Sequence, residues 1–304
     1  MDDPLFYVVL ALILGAAFVN GWTDAPNAIA SAVATRVLSP MTAVVMAASM
    51  NIVGAFFGTA VAITMGKGIV NPAVISLVTI ASALVALIIW AVVAWWFGLQ
   101  TSESHGLIAG FAGAAIATAG TDALVLAGWV KVGIGIGVAI FVGGLVSYVL
   151  GRMIIRYTHD LVPSVGKSVF DKLQAVGAGA AAFGHGIGDV PKFAGMFAAT
   201  LLIGGAIPKF EIHWWVMALC ASVVGFATLV GGWRIVGTMS KINRDMESWQ
   251  GAASSLGASA TVSLASSFGV PLSTTHTAAS SLTGACASQS LARVDWRYPL
   301  RILY

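Results

Sequence analysis

Two stretches, GWTDAPNAIAS at 21–31 and GHGIGDVPKFAGMF at 184–197, decide the fold of this chain. Each sets an aspartate, Asp24 or Asp189, beside glycine and proline inside long apolar sequence. An ionisable group in a membrane segment is expensive and marks a functional site. Glycine and proline beside it signal a broken helix, which lipid tolerates only where protein or a cavity satisfies the freed backbone groups. Two such breaks in corresponding places predict a transporter of two repeats with its site between them.

Composition points the same way. The chain is 58% hydrophobic and 9% charged, with a mean hydropathy of +0.92, whereas soluble domains carry about 25% charged residues. Apolar runs such as Met41–Met65 and Ala73–Phe97 match the roughly 20 residues needed to cross a bilayer. The opening MDDPL is acidic where a signal peptide would be basic. A net charge of +3 reads as loop charge set by membrane topology and excludes a nucleic-acid footprint. Cys220 and Cys286 are far apart in apolar segments and read as packing residues, not as a disulfide or metal signature.

Reading forward from each aspartate gives the same series: two long apolar segments, then a Ser/Thr-rich tetrapeptide closed by histidine. These are TSESH at 101–105 and STTH at 273–276. An internal duplication is the economical reading. The expected division is a first membrane repeat at 1–151, a basic cytoplasmic linker at 152–172 and a second membrane repeat at 173–304. Crossings are expected near 5–35, 41–65, 73–97, 105–129, 131–151, 173–206 and 213–233. The linker carries Arg152, Arg156, Lys167 and Lys172, and a second basic stretch runs over 234–247, so both are placed inside. An odd number of crossings in the first half inverts the second. Arg293, Arg297 and Arg301 form a last basic run, and the terminal Ile-Leu-Tyr reads as the start of a further helix.

Each Ser/Thr tetrapeptide follows a Gly or Pro and precedes a new apolar run, the pattern of a helix start with a Ser or Thr cap. Helix N-termini suit oxyanions. Thr101, Ser102, Ser104, Ser273, Thr274 and Thr275 are therefore candidate anion ligands, with plain capping as the alternative. A carboxylate repels an anion, so Asp24 and Asp189 read as cation or proton sites. Asp24 and Asn27, three residues apart, offer a carboxylate and an amide oxygen to sodium. In the second half the matching residue is Lys192, able to pair with Asp189 or to bind the anion itself. His105, His276, His185 and Glu103 are open between proton relay and shaping of the hairpins, and Glu103 also between these and a pair with Lys192. His159 and His213 lie near loops and read as surface groups.

GWTDAPNA at 21–28 and GIGDVPKF at 186–193 resemble the paired G-x-N-D-x-x-N-A motifs of the inorganic phosphate transporter (Pit) family. PLSTTH at 271–276 resembles that family's P-x-S-x-T-H hairpin, and LQTSESH at 99–105 its first-half partner. The resemblance covers most of the chain. It implies an all-α multi-pass membrane protein of two inverted-topology repeats, with broken helices and re-entrant Ser/Thr hairpins. It implies inward transport of phosphate coupled to sodium or protons, with Asp24, Asn27, Asp189, Ser102, Ser104, Ser273, Thr274 and Thr275 near substrate and coupling ion. Thr23, Gly188 and Lys192 depart from the family's asparagines, which argues against a symmetric pair of sodium sites.

The expectation is thus a secondary phosphate transporter in the cell's inner (plasma) membrane, using no cofactor besides the coupling ion. A sulfate transporter of the same fold is the alternative, and an intramembrane hydrolase a remote one. Against the hydrolase, the Ser/Thr and Asp motifs are duplicated, whereas a catalytic triad is a single asymmetric set. The expected partners are phosphate or sulfate and the lipid bilayer, with a homodimer as the candidate assembly.

Overall fold

The computed structural model describes residues 3–158, 163–231 and 246–291 together with Val294 and Trp296. His159, most of the 234–247 stretch, the run Arg293, Arg297 and Arg301 and the terminal Ile-Leu-Tyr lie outside them. The described residues are helical apart from short connections and one isolated bridge, Val70 to Leu124. In chain order the helices are α1 (Pro4–Thr23), α2 (Ala30–Ala34), α3 (Pro40–Ala55), α4 (Thr59–Lys67), α5 (Leu77–Trp96) and α6 (Glu103–Ala119). They continue as α7 (Leu126–Gly137), α8 (Gly143–Thr158), α9 (Pro163–Gly188), α10 (Val190–Ile203), α11 (Trp214–Val230), α12 (Ser248–Ser267) and α13 (Thr274–Ala287).

Four described segments are long and apolar enough to cross a membrane: Pro4–Ala28, Leu77–Trp96, Leu126–Thr158 and Val165–Ile203. Their outward faces carry Trp90, Trp96, Phe97 and Phe141 exposed, as lipid-facing helices do. Two expected boundaries are corrected. The 41–65 run is not one straight crossing: α3 and α4 meet at 70°. Its break at Phe56–Gly58 contains no proline: α3 is capped at Phe56, and Gly58 stands immediately before α4. The expected crossings at 105–129 and 131–151 also shift. Gly120, at φ +73°, stops α6, and a helix running from Leu126 to Thr158 follows. That helix contains a π turn at Val138–Val142. Such turns misalign backbone carbonyls, and here Ser280 donates to the carbonyl of Ala139 and Ser281 to that of Gly143. The 152–172 segment is largely helical where described, shared between the end of α8 and the start of α9.

The packing is reciprocal. α1 packs on α5 and on α11, while α9 packs on α12 and on α3. α5 packs on α6, and α12 on α13. Both long-range contacts need a glycine. A Cβ at Gly21 of α1 would strike the carbonyl of Val224, and one at Gly186 of α9 the carbonyl of Asn51. These glycines stand at the same distance before Asp24 and Asp189, and each lets a backbone of the opposite half approach closely. The core is a broad cluster that includes Ile13, Met65, Leu84, Phe111, Phe193 and Val224.

Candidate functional site

α1 ends at Asp24, whose N–H still reaches the carbonyl of Asn20 at 2.9 Å (φ −105°, ψ −42°). Pro26 then lacks the N–H that would continue the helix, and the chain turns through a short 3₁₀ segment, Ala25–Ala28. α9 ends at Asp189 in nearly the same way, with its N–H 2.8 Å from the carbonyl of His185 (φ −107°, ψ −47°). There Pro191 falls in the first turn of α10, where a missing N–H is tolerated, so a regular helix resumes. Both aspartates are buried, at 2% and 1% exposure.

Facing them are the starts of α6 and α13. Ser102 and Ser273 are the N-caps, with φ and ψ of −83° and 108° against −82° and 109°. Their hydroxyls accept from the N–H groups of His105 (3.2 Å) and His276 (3.1 Å). That cap geometry aims the next residues at the broken helices, each hairpin crossing to the other half. Thr275 donates to Asp24 Oδ1 at 2.8 Å, and Ser104 donates to Asp189 Oδ1 at 3.0 Å. Thr274 is placed between both, 2.8 Å from Asp189 Oδ2 and 3.2 Å from Asp24 Oδ2.

Lys192, 1% exposed, directs its ammonium at Asp189 Oδ1, Ser104 Oγ and the carbonyl of Leu272, which uses its three donors. His185 Nε2 lies 3.1 Å from Asp189 Oδ2 and 3.8 Å from Asp24 Oδ2, while Nδ1 is 3.0 Å from Asn51 Oδ1. Asn27 donates to Asp24 Oδ1 at 2.7 Å and accepts from Gln100 at 2.8 Å. Glu103, 3% exposed, meets Thr23 rather than Lys192. The buried charges among the described residues are therefore three carboxylates, one ammonium and one histidine. Asp24, His185 and Asp189 offer ligand atoms within 4.8 Å of one another. Most of that acceptor capacity is already used by Thr274, Thr275, Ser104 and Lys192.

The sequence-predicted residues mostly converge. Asp24, Asp189, Lys192, Ser104, Thr274, Thr275 and His185 form one buried network with the half-buried Asn27 at its edge, and Glu103 lies beside it on Thr23. Ser102 and Ser273 serve their helix starts, and Thr101 contributes its carbonyl to Thr275 at 3.4 Å. The rings of His105 and His276 sit 4.9 Å apart, and His276 is 2.7 Å from the Ser273 hydroxyl, so both lie within the hairpins. His213, half-buried, stacks on Trp215 beside the start of α11. Three residues of the network escaped sequence reasoning, Asn20, Asn51 and Gln100, while Thr23 was noted only as a departure from the family's asparagine. Asn20 lies one helical turn before Asp24, and Asn51 is a lone amide in an apolar run; both were visible signals.

A sequence model of the phosphate transporter family matches residues 20–304. A Rhizobium meliloti protein named "Probable low-affinity inorganic phosphate transporter" is 36% identical over 96% of this chain and 88% of its own length. A Bacillus subtilis protein of the same name is 34% identical over 100% of this chain and 92% of its own length. A solved structure titled "The sodium-dependent phosphate transporter" superposes with a TM-score of 0.87 at 21% identity, covering 99% of this chain and 94% of that one. That last likeness establishes the fold.

Proposed function

The chain belongs to the phosphate transporter family of membrane proteins, and from that premise we propose that it carries inorganic phosphate across the plasma membrane coupled to sodium or protons. The observation that carries the coupling is a charge imbalance. Three buried carboxylates, Asp24, Asp189 and Glu103, face one ammonium, Lys192, and one histidine, His185, and so outnumber their partners even with His185 protonated. Unpaired charge in a low-dielectric interior is strongly unfavourable, so mobile cations or protons complete the set.

The hydroxyls suggest how cation and anion are linked. Ser104, Thr274 and Thr275 now donate to the aspartates from the first turns of α6 and α13. A cation on Asp24, with Asn27 beside it, takes over that carboxylate's oxygens and frees Thr275 and the Asp24 side of Thr274. The freed donors, with two helix N-termini and Lys192, then suit a tetrahedral oxyanion. Binding of either ion favours the other by a reciprocal coupling free energy. In this reading the halves, 1–151 and 173–304 about the 152–172 segment, are inverted repeats that rock about the shared site. The reciprocal packing of α1 on α11 and α9 on α3 supports that arrangement.

The test is uptake of radiolabelled phosphate into proteoliposomes, with sodium and pH gradients imposed separately and sulfate as competitor. Accumulation driven by one gradient is expected. Uptake of sulfate in place of phosphate would assign the alternative substrate, and no uptake under either gradient would overturn the proposal.

A further inference from the structure

We propose that the anion passes between the buried site and one end of the bundle through a hydroxyl-lined passage, shut in this structure by Gln174 and Thr35; this rests on reading the chain as a phosphate carrier. Beyond Asn27 lies a cavity of about 30 Å3, lined by Ser31 of α2, Ala181 of α9, Ser254 and Ser255 of α12 and Leu282 of α13. A water needs roughly 10–15 Å3 of such space, so the cavity admits about two waters and no phosphate. It lies between the halves, since α2 belongs to the first and α9, α12 and α13 to the second.

The lining suits an anion in transit. Helix hydroxyls with no cavity to face fold back on the carbonyl four residues earlier, as Thr261 does on Gly257. The Ser31, Ser254 and Ser255 hydroxyls make no such bond and have no side-chain partner among the described residues. They offer donors without a fixed charge, which lets an oxyanion enter and leave again.

The seal is the next layer along the same helices. Thr35 stands one turn beyond Ser31, Gly251 one turn before Ser254 and Ser255, and Gln174 two turns before Ala181. Each step leads away from the site. Thr35 lies 2.9 Å from Gln174 Oε1, the hydrogen bond that ties the two halves across the passage. Gln174, fully buried, lays its other amide end over Gly251, where a Cβ would come within 2.0 Å of it. That end has no hydrogen-bond partner among the described residues, and turning the amide over only exchanges which atom is left alone. Opening the layer wets this group, so the seal is held by little more than one bond.

The opposite side is closed differently. Counted from the two aspartates and the two hairpin histidines, the residues in register with Ser31, Ser254, Ser255 and Gln174 are Met196, Ala83, Leu84 and Val9. All four are buried in the main apolar core. Parting them exposes apolar surface to water, which is unfavourable. From this state the side of Gln174 is therefore the one that opens.

The experiment reads thiol modification and uptake on the full chain carrying Cys220→Ala and Cys286→Ala. A small anionic methanethiosulfonate, added to purified protein in detergent, reaches both ends of the bundle. Ser255→Cys should react much faster than Leu84→Cys, its counterpart in the core. Adding Thr35→Val, which keeps the shape and deletes the bond, should raise the Ser255→Cys rate by up to about tenfold, the effect of one net hydrogen bond. Gln174→Ala should raise it too, and carries the test if Thr35→Val fails to fold. In liposomes, full modification of the Ser255→Cys protein should abolish phosphate uptake. Equal rates for Ser255→Cys and Leu84→Cys, an unchanged rate with both Thr35→Val and Gln174→Ala, or uptake that survives full modification would overturn the passage. A wild type that carries no phosphate would overturn the transport reading instead, and the modification rates would still decide the seal.

Discussion

The two broken helices share a backbone and differ in how their charge is answered. Asp24 and Asp189 have nearly the same φ and ψ, the same hydrogen bond back to the preceding turn and matched hydroxyl donors, Thr275 and Ser104, from the opposite hairpin. Asp189, however, has an ammonium and a histidine in contact. Asp24 has hydroxyls and an amide, with His185 only at 3.8 Å. Backbone geometry is nearly the same at the two breaks while charge compensation differs: Asp189 is met by an ammonium, and Asp24 by neutral hydroxyls and an amide.

The largest expected effect breaks this comparison at its asymmetric point. Lys192→Met leaves the buried Asp189 without its ammonium, a loss of about 3–5 kcal/mol. It should lower the melting temperature in detergent and abolish uptake together. Asp24→Asn should abolish uptake without that loss of stability, since Thr275 and Asn27 can reorient around a neutral amide. Equal melting temperatures for the two variants would remove the distinction drawn between the halves.

The hydroxyl pair comes next. A hydrogen bond to a charged group contributes about 1.5–3 kcal/mol. On the proposed coupling, Thr275→Val should therefore weaken phosphate binding roughly 10- to 100-fold. Ser104→Ala should cost less, because Asp189 keeps Lys192. Binding titrations of both variants check the order, and the reverse order would place the ion in the second half.

Two smaller effects should be symmetric. Gly21→Ala and Gly186→Ala each force a methyl against a carbonyl of the other half, a cost of about 1–3 kcal/mol for overpacking. Their melting temperatures should fall alike. Ser102→Ala and Ser273→Ala each remove an N-cap, typically about 1 kcal/mol, and thermal scans should again give matching losses. A large inequality in either pair would show that the halves differ in backbone packing as well as in charge.

Much of this was legible in the sequence. Gly, Pro and Asp within apolar runs announced both breaks, and a Ser three residues before each His announced both caps. Such signals are local, set by φ preferences and by a side chain reaching its own helix's N–H groups. The cross-half pairs, Asp24 with Thr275 and Asp189 with Ser104, were not legible, because no local rule says which hairpin faces which break. The bend between α3 and α4 was hidden by its composition: GAFFGTA reads as one apolar run with two glycines. Gly120 was passed over for the same reason, although only its positive φ ends α6 where it does. Glu103 drew notice as an unexpected acid, but its contact with Thr23 depends on α1 and α6 meeting, which one sequence does not show.

The exchange of partners between α1 and α11, and between α9 and α3, has a consequence for how the protein is made. When α1 and α3 enter the membrane, the surfaces they will pack against have not yet been synthesised. Gly21 and Asn51 then face lipid or the insertion machinery until α9 and α11 emerge, so the amino-terminal half cannot mature ahead of the carboxy-terminal one. A nascent chain stalled after Thr158 should stay protease-sensitive and bound to insertase, and it should be released only once residues through Val230 have left the ribosome.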